Sequence, residues 1–183
     1  RFNAKVLNTE KKKGSLYYAG QFQQRPIPVE GNLFKRAWFE IIPAELVKRD
    51  PIVSPIHFFI DTAYTEDETE RNDPSGILTT FRSGNDVYIV NFVEVWLEFP
   101  ELIKFIKQYV ELNGYSSHSA IYIEPKASGK SVVQQLKVTG LNVIEIAGEW
   151  IRDDKVTRAS GVSPIAQSGR VKLIEGVWND KYL

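Results

Sequence analysis

The chain of 183 residues contains no cysteine, no methionine and only two histidines. Without cysteine it can form no disulfide scaffold, no thiolate zinc site and no cysteine nucleophile. No run of about 18 uninterrupted apolar residues occurs, so the sequence predicts no membrane-spanning segment. The chain opens at Arg1 without the charged-then-apolar pattern of a signal peptide. The lack of methionine, even at residue 1, predicts a piece of a longer polypeptide.

The composition is that of a folded domain, with 43% hydrophobic and 12% aromatic residues. The length suits one domain, or one domain plus an arm. The formal net charge is zero, yet residues 1–50 carry +5, residues 51–100 carry −7, and the two remaining segments, 101–150 and 151–183, carry 0 and +2. The basic segments could bind anionic polymers and the acidic segment divalent cations, although a solvated charged face is the commoner explanation of such charge blocks.

Residues 1–50 lack clear sheet periodicity, and we expect them to form an arm that precedes the main domain. A short helix over Ser15–Gln24 would have to end before Pro26. An aromatic-rich segment follows, spaced to pack onto something larger: Leu33, Phe34, Trp38, Phe39, Ile41 and Ile42. Pro51 and Pro55 then mark the entry to the main domain, residues 51–183.

The main domain predicts an α/β fold. Three runs with short connections, Ile56–Ala63, Gly76–Arg82 and Val87–Trp96, indicate three antiparallel strands, with an acidic loop from Tyr64 to Ser75. Alternating elements follow: helices over Pro100–Leu112, Ser128–Val138 and Asp154–Gln167, and strands over Ala120–Glu124, Asn142–Ala147 and Val171–Ile174. The order predicts a mixed sheet, antiparallel strands and then parallel βα units, flanked by helices.

Two acids stand at the ends of predicted strands. Asp61 ends the first strand and Glu124 ends the strand after the long helix. If these strands are parallel neighbours, both carboxylates emerge at the same rim of the sheet, where α/β proteins bind ligands. Hard oxygen ligands there suit Mg²⁺ or Mn²⁺, and two such ions would activate water for phosphodiester cleavage. For either acid alone, an ordinary solvated strand end explains the sequence equally well.

The stretch from Glu124 to Ser131 ends in Gly-Lys-Ser like a phosphate-binding P-loop. That motif needs a glycine where Glu124 stands, and Pro125 removes a backbone donor. An acid at that position would repel phosphate, so the sequence argues against nucleotide binding here.

A third cluster surrounds the start of the last predicted helix. Lys155 and Arg158 are three residues apart on one helical face and could hold a nucleic-acid backbone. Spacing alone favours ordinary helix-start electrostatics, with Asp153 or Asp154 as the cap. Of the two histidines, His57 shares a strand face with Phe59, which favours packing over metal binding, and His118 lies in a serine-rich loop.

These residues together resemble the nuclease domain of the large terminase subunit of tailed bacteriophages, over nearly the whole chain. The segment from Tyr18 to Gly31 resembles the connection between that family's ATPase and nuclease domains. Phe59–Ala63 resembles its first catalytic strand, and Ile123–Gly129 resembles its second acidic motif. Asp154–Ala159, followed by Gly169–Val171, resembles its late helix and the strand after it. The order and spacing of these pieces carry the resemblance.

The resemblance implies a ribonuclease H-like fold and a metal-dependent endonuclease that cuts double-stranded DNA with two Mg²⁺ or Mn²⁺ ions. Asp61 and Glu124 match the catalytic, metal-binding acids, and Asp73 matches a further metal ligand. The positions of Lys126, Lys155 and Arg158 are implied to contact DNA.

The implied partners are the protein's own N-terminal ATPase domain, for which residues 1–50 would be the linker, the small terminase subunit and the portal or procapsid. No membrane partner is implied, and the expected location is the host cytoplasm. The family also carries a metal-binding aspartate after a Phe-Pro segment beyond the last strand. The chain reaches Leu183 without that segment, and Asp180 lies too early to replace it.

Three functions follow from this reasoning. The first is a phage-packaging endonuclease. The second keeps the fold and changes the substrate, as in a junction resolvase or repair nuclease, against which the arm at residues 15–50 argues. The third is a non-catalytic module that docks DNA or a procapsid, which the basic arm and the incomplete set of acids favour slightly.

Overall fold

The computed structural model describes residues 33–63, 74–125 and 129–182. Seven strands lie in one sheet: β1 (Glu40–Ile42), β2 (His57–Asp61), β3 (Ser75–Ser83), β4 (Asp86–Val95), β5 (Ile121–Ile123), β6 (Val143–Glu145) and β7 (Val171–Ile174). The helices are α1 (Phe99–Leu112), α2 (Gly129–Lys137), α3 (Lys155–Gln167) and α4 (Asn179–Tyr182), with 3-10 turns at Arg36–Trp38, Ala44–Leu46 and Gly148–Ile151. None of these helices is long and apolar enough to cross a bilayer.

The strands are ordered β1-β7-β4-β3-β2-β5-β6 across the sheet. β2, β3 and β4 pair antiparallel, as the short connections predicted. β5 is parallel to β2, β6 is parallel to β5, and β7 is parallel to β4. The mixed sheet expected from the sequence is therefore confirmed, and the carboxyl ends of β2, β4, β5 and β6 lie at one edge.

One face of the sheet carries the main hydrophobic core, against α1 and α2. Helix α1 begins with Pro100 in its first turn and ends before Gly114, whose φ of 84° suits a residue without a side chain. Its buried face consists of Leu102, Ile103, Ile106, Tyr109 and Val110, spaced at three and four residues. Full burial of such side chains stabilises the fold by roughly 1.5–3 kcal/mol each.

A smaller cluster forms around Ile89, Leu173 and Trp178. Strand β1 belongs to this part of the sheet and pairs with β7. The sequence did not predict β1, because its three residues are too few to show alternation. Glu40 lies opposite Lys172, and their hydrogen-bonded ion pair raises the pKa of that lysine. Part of the predicted arm is thus an edge strand of the sheet, while the predicted helix over Ser15–Gln24 lies outside the described residues.

His57 has a structural role, as its strand position predicted. Its Nδ1 accepts a hydrogen bond from the backbone N–H of Ala120 at 3.1 Å, and its ring meets Tyr122 edge-on at 5.8 Å. An acceptor nitrogen carries no proton, and partial burial lowers the pKa of His57 below its ordinary value. The neutral ring therefore ties β2 to the residue that precedes β5.

We expect the free energy of unfolding to fall as the pH drops below about 6.5, the ordinary histidine pKa. The unfolded chain then binds a proton at His57 that the folded chain resists, so acid favours unfolding. The loss is smaller than the roughly 1.4 kcal/mol per pH unit of a full proton, because the ring is only half-buried. Urea unfolding of His57→Gln should show a flatter pH dependence. His118→Gln is the control, and an equal slope in both variants would contradict this role.

Candidate metal and DNA site

The register of two parallel strands places Asp61 beside Glu124. Phe59 pairs with Tyr122 and Ile60 with Ile123, so Asp61 and Glu124 are the next residues on neighbouring strands that run in the same direction. We call these two carboxylates the acid pair. The parallel pairing on which a shared site depends is therefore observed.

The two sheet faces near the acid pair differ in character. Ile60 and Ile123 are buried in the main core. The alternate residues point to the other face, where the rings of Phe59 and Tyr122 stack with centroids 4.8 Å apart. Asp61, Glu124 and Phe59 line a cavity of about 450 Å³, which we call the site cavity.

Glu94 also lines the site cavity, and the sequence analysis missed it. Gly76 on β3 is the register partner of both Asp61 on β2 and Glu94 on β4, so the three residues form a row across the sheet. Because glycine has no side chain, β3 places no side chain between Asp61 and Glu94; the ring of Phe92 lies beside this position, 3.6 Å from where a Cβ of Gly76 would stand.

A β-bulge brings Glu94 to the site face. The hairpin pairs Ser83 with Asp86, and plain counting from that turn would set Val93, not Glu94, against Gly76. The register shifts by one residue at Thr79/Thr80 of β3, and on β4 the side chain of Asn91 accepts the N–H of Phe92 at 2.9 Å. One extra residue moves every later side chain of β4 to the opposite face.

The start of α3 carries Lys155 and Arg158, which we call the basic pair. Asp154 caps the helix: its Oδ1 accepts the N–H groups of Val156 and Thr157 at 2.9 and 3.0 Å. A hydrogen bond from the Thr157 hydroxyl, together with these backbone bonds, lowers the pKa of Asp154. The predicted cap is thus observed, and it fixes where the helix begins.

Each residue of the basic pair contacts one residue of the acid pair. Lys155 Nζ lies 3.2 Å from Asp61 Oδ2, and Arg158 Nη1 lies 3.3 Å from Glu124 Oε2. The helical spacing of three residues matches the spacing of neighbouring strands, so one face of α3 spans both acids. The structure therefore brings four of the predicted site residues together.

The two ion pairs differ in burial. The Lys155 and Asp61 side chains are 80% and 65% exposed, so water and salt weaken their attraction to about 1 kcal/mol or less. The Arg158 and Glu124 side chains are 28% and 12% exposed. Arg158 Nε is buried without a hydrogen-bond partner. The ion pair of Arg158 with Glu124 is therefore the stronger of the two, although one hydrogen-bond donor of Arg158 is left without a partner.

The donors at the acid pair suit a hard divalent cation. Among the described residues, no three His, Cys, Asp or Glu side chains are grouped to hold a metal ion. Mg²⁺ commonly takes only one or two carboxylates and completes its shell with water and substrate phosphate, which two acids at an open cavity can provide. Asp73 and Lys126, the other predicted ligand and DNA contact, lie outside the described residues.

Close packing explains the glycine of the Gly-Lys-Ser sequence without a nucleotide. A Cβ added at Gly129 would lie 2.1 Å from the carbonyl oxygen of Glu124, far inside van der Waals contact. The first turn of α2 therefore packs directly on the backbone that carries Glu124, and only glycine leaves room for this.

We expect Gly129→Ala to destabilise the fold by more than about 1 kcal/mol and to shift Glu124, since backbone must move to admit the methyl group. Gly161→Ala is the matched control: an added Cβ at Gly161 meets nothing within 4 Å, and alanine in α3 should stabilise by about 0.5–1 kcal/mol. Urea unfolding measures both effects. Equal stability of the two variants would show that the close packing at Gly129 is wrong.

A mixed sheet whose acids end adjacent parallel strands is the arrangement of a ribonuclease H-like fold. The sequence model of the terminase RNaseH-like domain family matches residues 60–183, and the chain belongs to this family. No curated protein sequence matches the chain.

Solved structures share the fold at low sequence identity. A large terminase from a thermophilic bacteriophage, also solved in complex with ADP, matches with a TM-score of 0.63 and 11% identity, over 95% of this chain and 42% of that one. We call it the ADP-binding terminase. The P22 large terminase nuclease domain matches with a TM-score of 0.56 and 10% identity, over 80% of this chain and 73% of that one. The large terminase nuclease of thermophilic phage G20c, solved with bound zinc, matches with a TM-score of 0.50 and 13% identity, over 81% of this chain and 82% of that one. The chain thus spans less than half the length of the ADP-binding terminase.

Proposed function

We propose that the chain is the metal-dependent endonuclease domain of a viral DNA-packaging terminase and cuts double-stranded DNA. The observation that carries the proposal is the acid pair, set side by side by parallel β2 and β5 in a chain of the terminase RNaseH-like family. Paired carboxylates at an open cavity are the ligand type that phosphodiester hydrolysis with Mg²⁺ or Mn²⁺ requires.

The acid pair holds the ions through carboxylate oxygens, with Asp73 as a further ligand and another aspartate expected beyond Leu183. When bound, two divalent ions polarise the phosphate and lower the pKa of water, so no side-chain nucleophile is needed. The bound zinc of the G20c nuclease supports divalent-ion use in this fold. Glu94, on the far side of Gly76, adds negative charge that favours cations in the site cavity.

The basic pair and Lys126 orient the DNA. A phosphate at the acid pair would otherwise meet two negative charges, and Lys155 and Arg158 each lie within hydrogen-bonding distance of one of those acids. Their cationic groups attract the backbone and stabilise charge that builds on the phosphate during cleavage.

Residues 1–50 serve as the linker from a preceding ATPase domain to the nuclease, residues 51–183, and the part of that linker from Glu40 to Ile42 adds an edge strand to the nuclease sheet. The match of 95% of this chain to 42% of the ADP-binding terminase supports a longer parent protein. Partners of that protein are the small terminase subunit and the portal or procapsid, in the host cytoplasm.

We expect Asp61→Asn and Glu124→Gln each to lower Mn²⁺-dependent nicking of supercoiled plasmid by at least about 100-fold, because each removes a charged ion ligand. The assay uses a protein that continues past Leu183, so that the expected further aspartate is present. Glu101→Gln, an exposed acid on α1 at the other face of the sheet, is the control. Unchanged cutting by both site variants would remove the acid pair from the mechanism.

Substrate preference separates the terminase from a junction resolvase. We expect linear duplex to be cut at least as fast as a four-way junction of the same arm sequence, since backbone contacts by the basic pair read phosphates rather than branch shape. Cleavage rates on the two substrates measure this. A strong preference for the junction would favour the resolvase, and no calorimetric heat with Mn²⁺ would favour a non-catalytic docking module.

A further inference from the structure

The acid pair already carries cations that the chain itself supplies. Lys155 and Arg158 approach Asp61 and Glu124 to 3.2 and 3.3 Å, which is where divalent ions bind under the proposed function. The same two cations are the groups that would contact DNA. Neither residue can serve both partners fully at once.

We propose that Lys155 and Arg158 are positioning residues that neutralise the acid pair until divalent ions arrive, and that ion binding then releases them to DNA phosphate. Ion binding and DNA binding would therefore promote each other. This inference rests on the proposed function and adds a coupling between its two ligands.

The hydrogen bonding of Arg158 supports an exchange of partners. A guanidinium presents five N–H donors in a planar fork, and the fork matches the paired oxygens of a phosphate. In the ion-paired state Nη1 reaches Glu124, while the buried Nε has no partner. A phosphate oxygen at Nε completes the fork, and an ion at Glu124 replaces the charge that Arg158 withdraws.

The exposure of the two pairs predicts which residue dominates. Lys155 with Asp61 is mostly exposed, so the attraction lost on exchange is small. Arg158 with Glu124 is mostly buried, where attraction is screened less and an unpaired carboxylate is costly. The coupling between ion and DNA should therefore depend mainly on Arg158. By linkage, the factor by which the ion raises DNA affinity equals the factor by which DNA raises ion affinity.

A double-mutant cycle without metal tests the exchange. Dissociation constants for a short labelled duplex are measured by fluorescence anisotropy in EDTA for the wild type, Glu124→Gln, Arg158→Gln and the double variant. We expect Glu124→Gln to tighten DNA binding at least about fivefold when Arg158 is present, and to do so much less when it is absent. The same cycle on Asp61→Asn and Lys155→Gln should show a smaller coupling of the same sign.

The matched control is the ion pair of Lys172 with Glu40, which joins β7 to β1 at the other side of the sheet. Lys172→Gln and Glu40→Gln should leave DNA affinity unchanged in either background. Circular dichroism checks that each variant folds. If Arg158→Gln does not fold, Arg158→Lys replaces it, and the Lys155 cycle supplies an independent result.

Mn²⁺ calorimetry on the DNA-free protein supplies the second arm. Arg158→Lys keeps the charge and removes the planar fork and Nε, so general electrostatics stay similar while the contact with Glu124 is weakened, because the ammonium stands on a shorter side chain. We expect Mn²⁺ to bind this variant at least about fivefold more tightly than the wild type.

The outcomes separate this inference from the proposed function. Additive cycles in a protein that binds both DNA and Mn²⁺ would overturn the exchange and leave the nuclease proposal standing. A wild type that binds neither ligand would overturn both. Coupled cycles support the exchange whether or not the protein cuts DNA.

Discussion

Two carboxylates at the ends of adjacent parallel strands repel each other, and the surroundings of Asp61 and Glu124 offset that repulsion. The parallel pairing of β2 with β5 sets the acids side by side, and hydrophobic burial of Ile60 and Ile123 one residue earlier prevents the strands from moving apart. Opposite charge therefore has to come from outside the sheet. It comes from α3, whose first turn faces both acids.

The position of α3 depends on polar contacts more than on apolar burial. Its described buried residues are Ser163 and Ala166, and its apolar side chains Val156, Val162 and Ile165 stay substantially exposed. Pro164 lies inside the helix and cannot donate to the carbonyl of Ser160, but the hydroxyl of Ser163 donates to that carbonyl at 3.0 Å. A helix whose first turn meets the sheet through two ion pairs can respond to a change of charge at the sheet, whereas α1, with five buried residues, is fixed by the core.

Sequence reasoning located the acids because strand ends and helix periodicity are local signals. The run His57–Asp61 shows buried alternation, and the cap at Asp154 predicts where Lys155 and Arg158 lie on a helix turn. It did not predict that the basic residues would contact the acids, since 94 residues separate Lys155 from Asp61 and only the folded topology joins them. Strand β1 was missed because its pairing with β7 lies far along the chain. Glu94 was missed because the bulge breaks the counting rule that a hairpin otherwise obeys.

That bulge acts as a change of phase in the pattern of β4. Before the bulge, Tyr88 packs toward the main core and Ile89 toward the smaller cluster. After the bulge, Val93 and Val95 lie on the same face as Tyr88. Phe92 and Glu94 lie on the same face as Ile89. A strand of ten residues thereby uses odd positions for one face in its first half and even positions in its second. The bulge is consequently tied to the residue count of β4: regular pairing with β3 throughout, with all ten residues kept, would turn Glu94 into the core and Val93 toward the cations, with no change in composition.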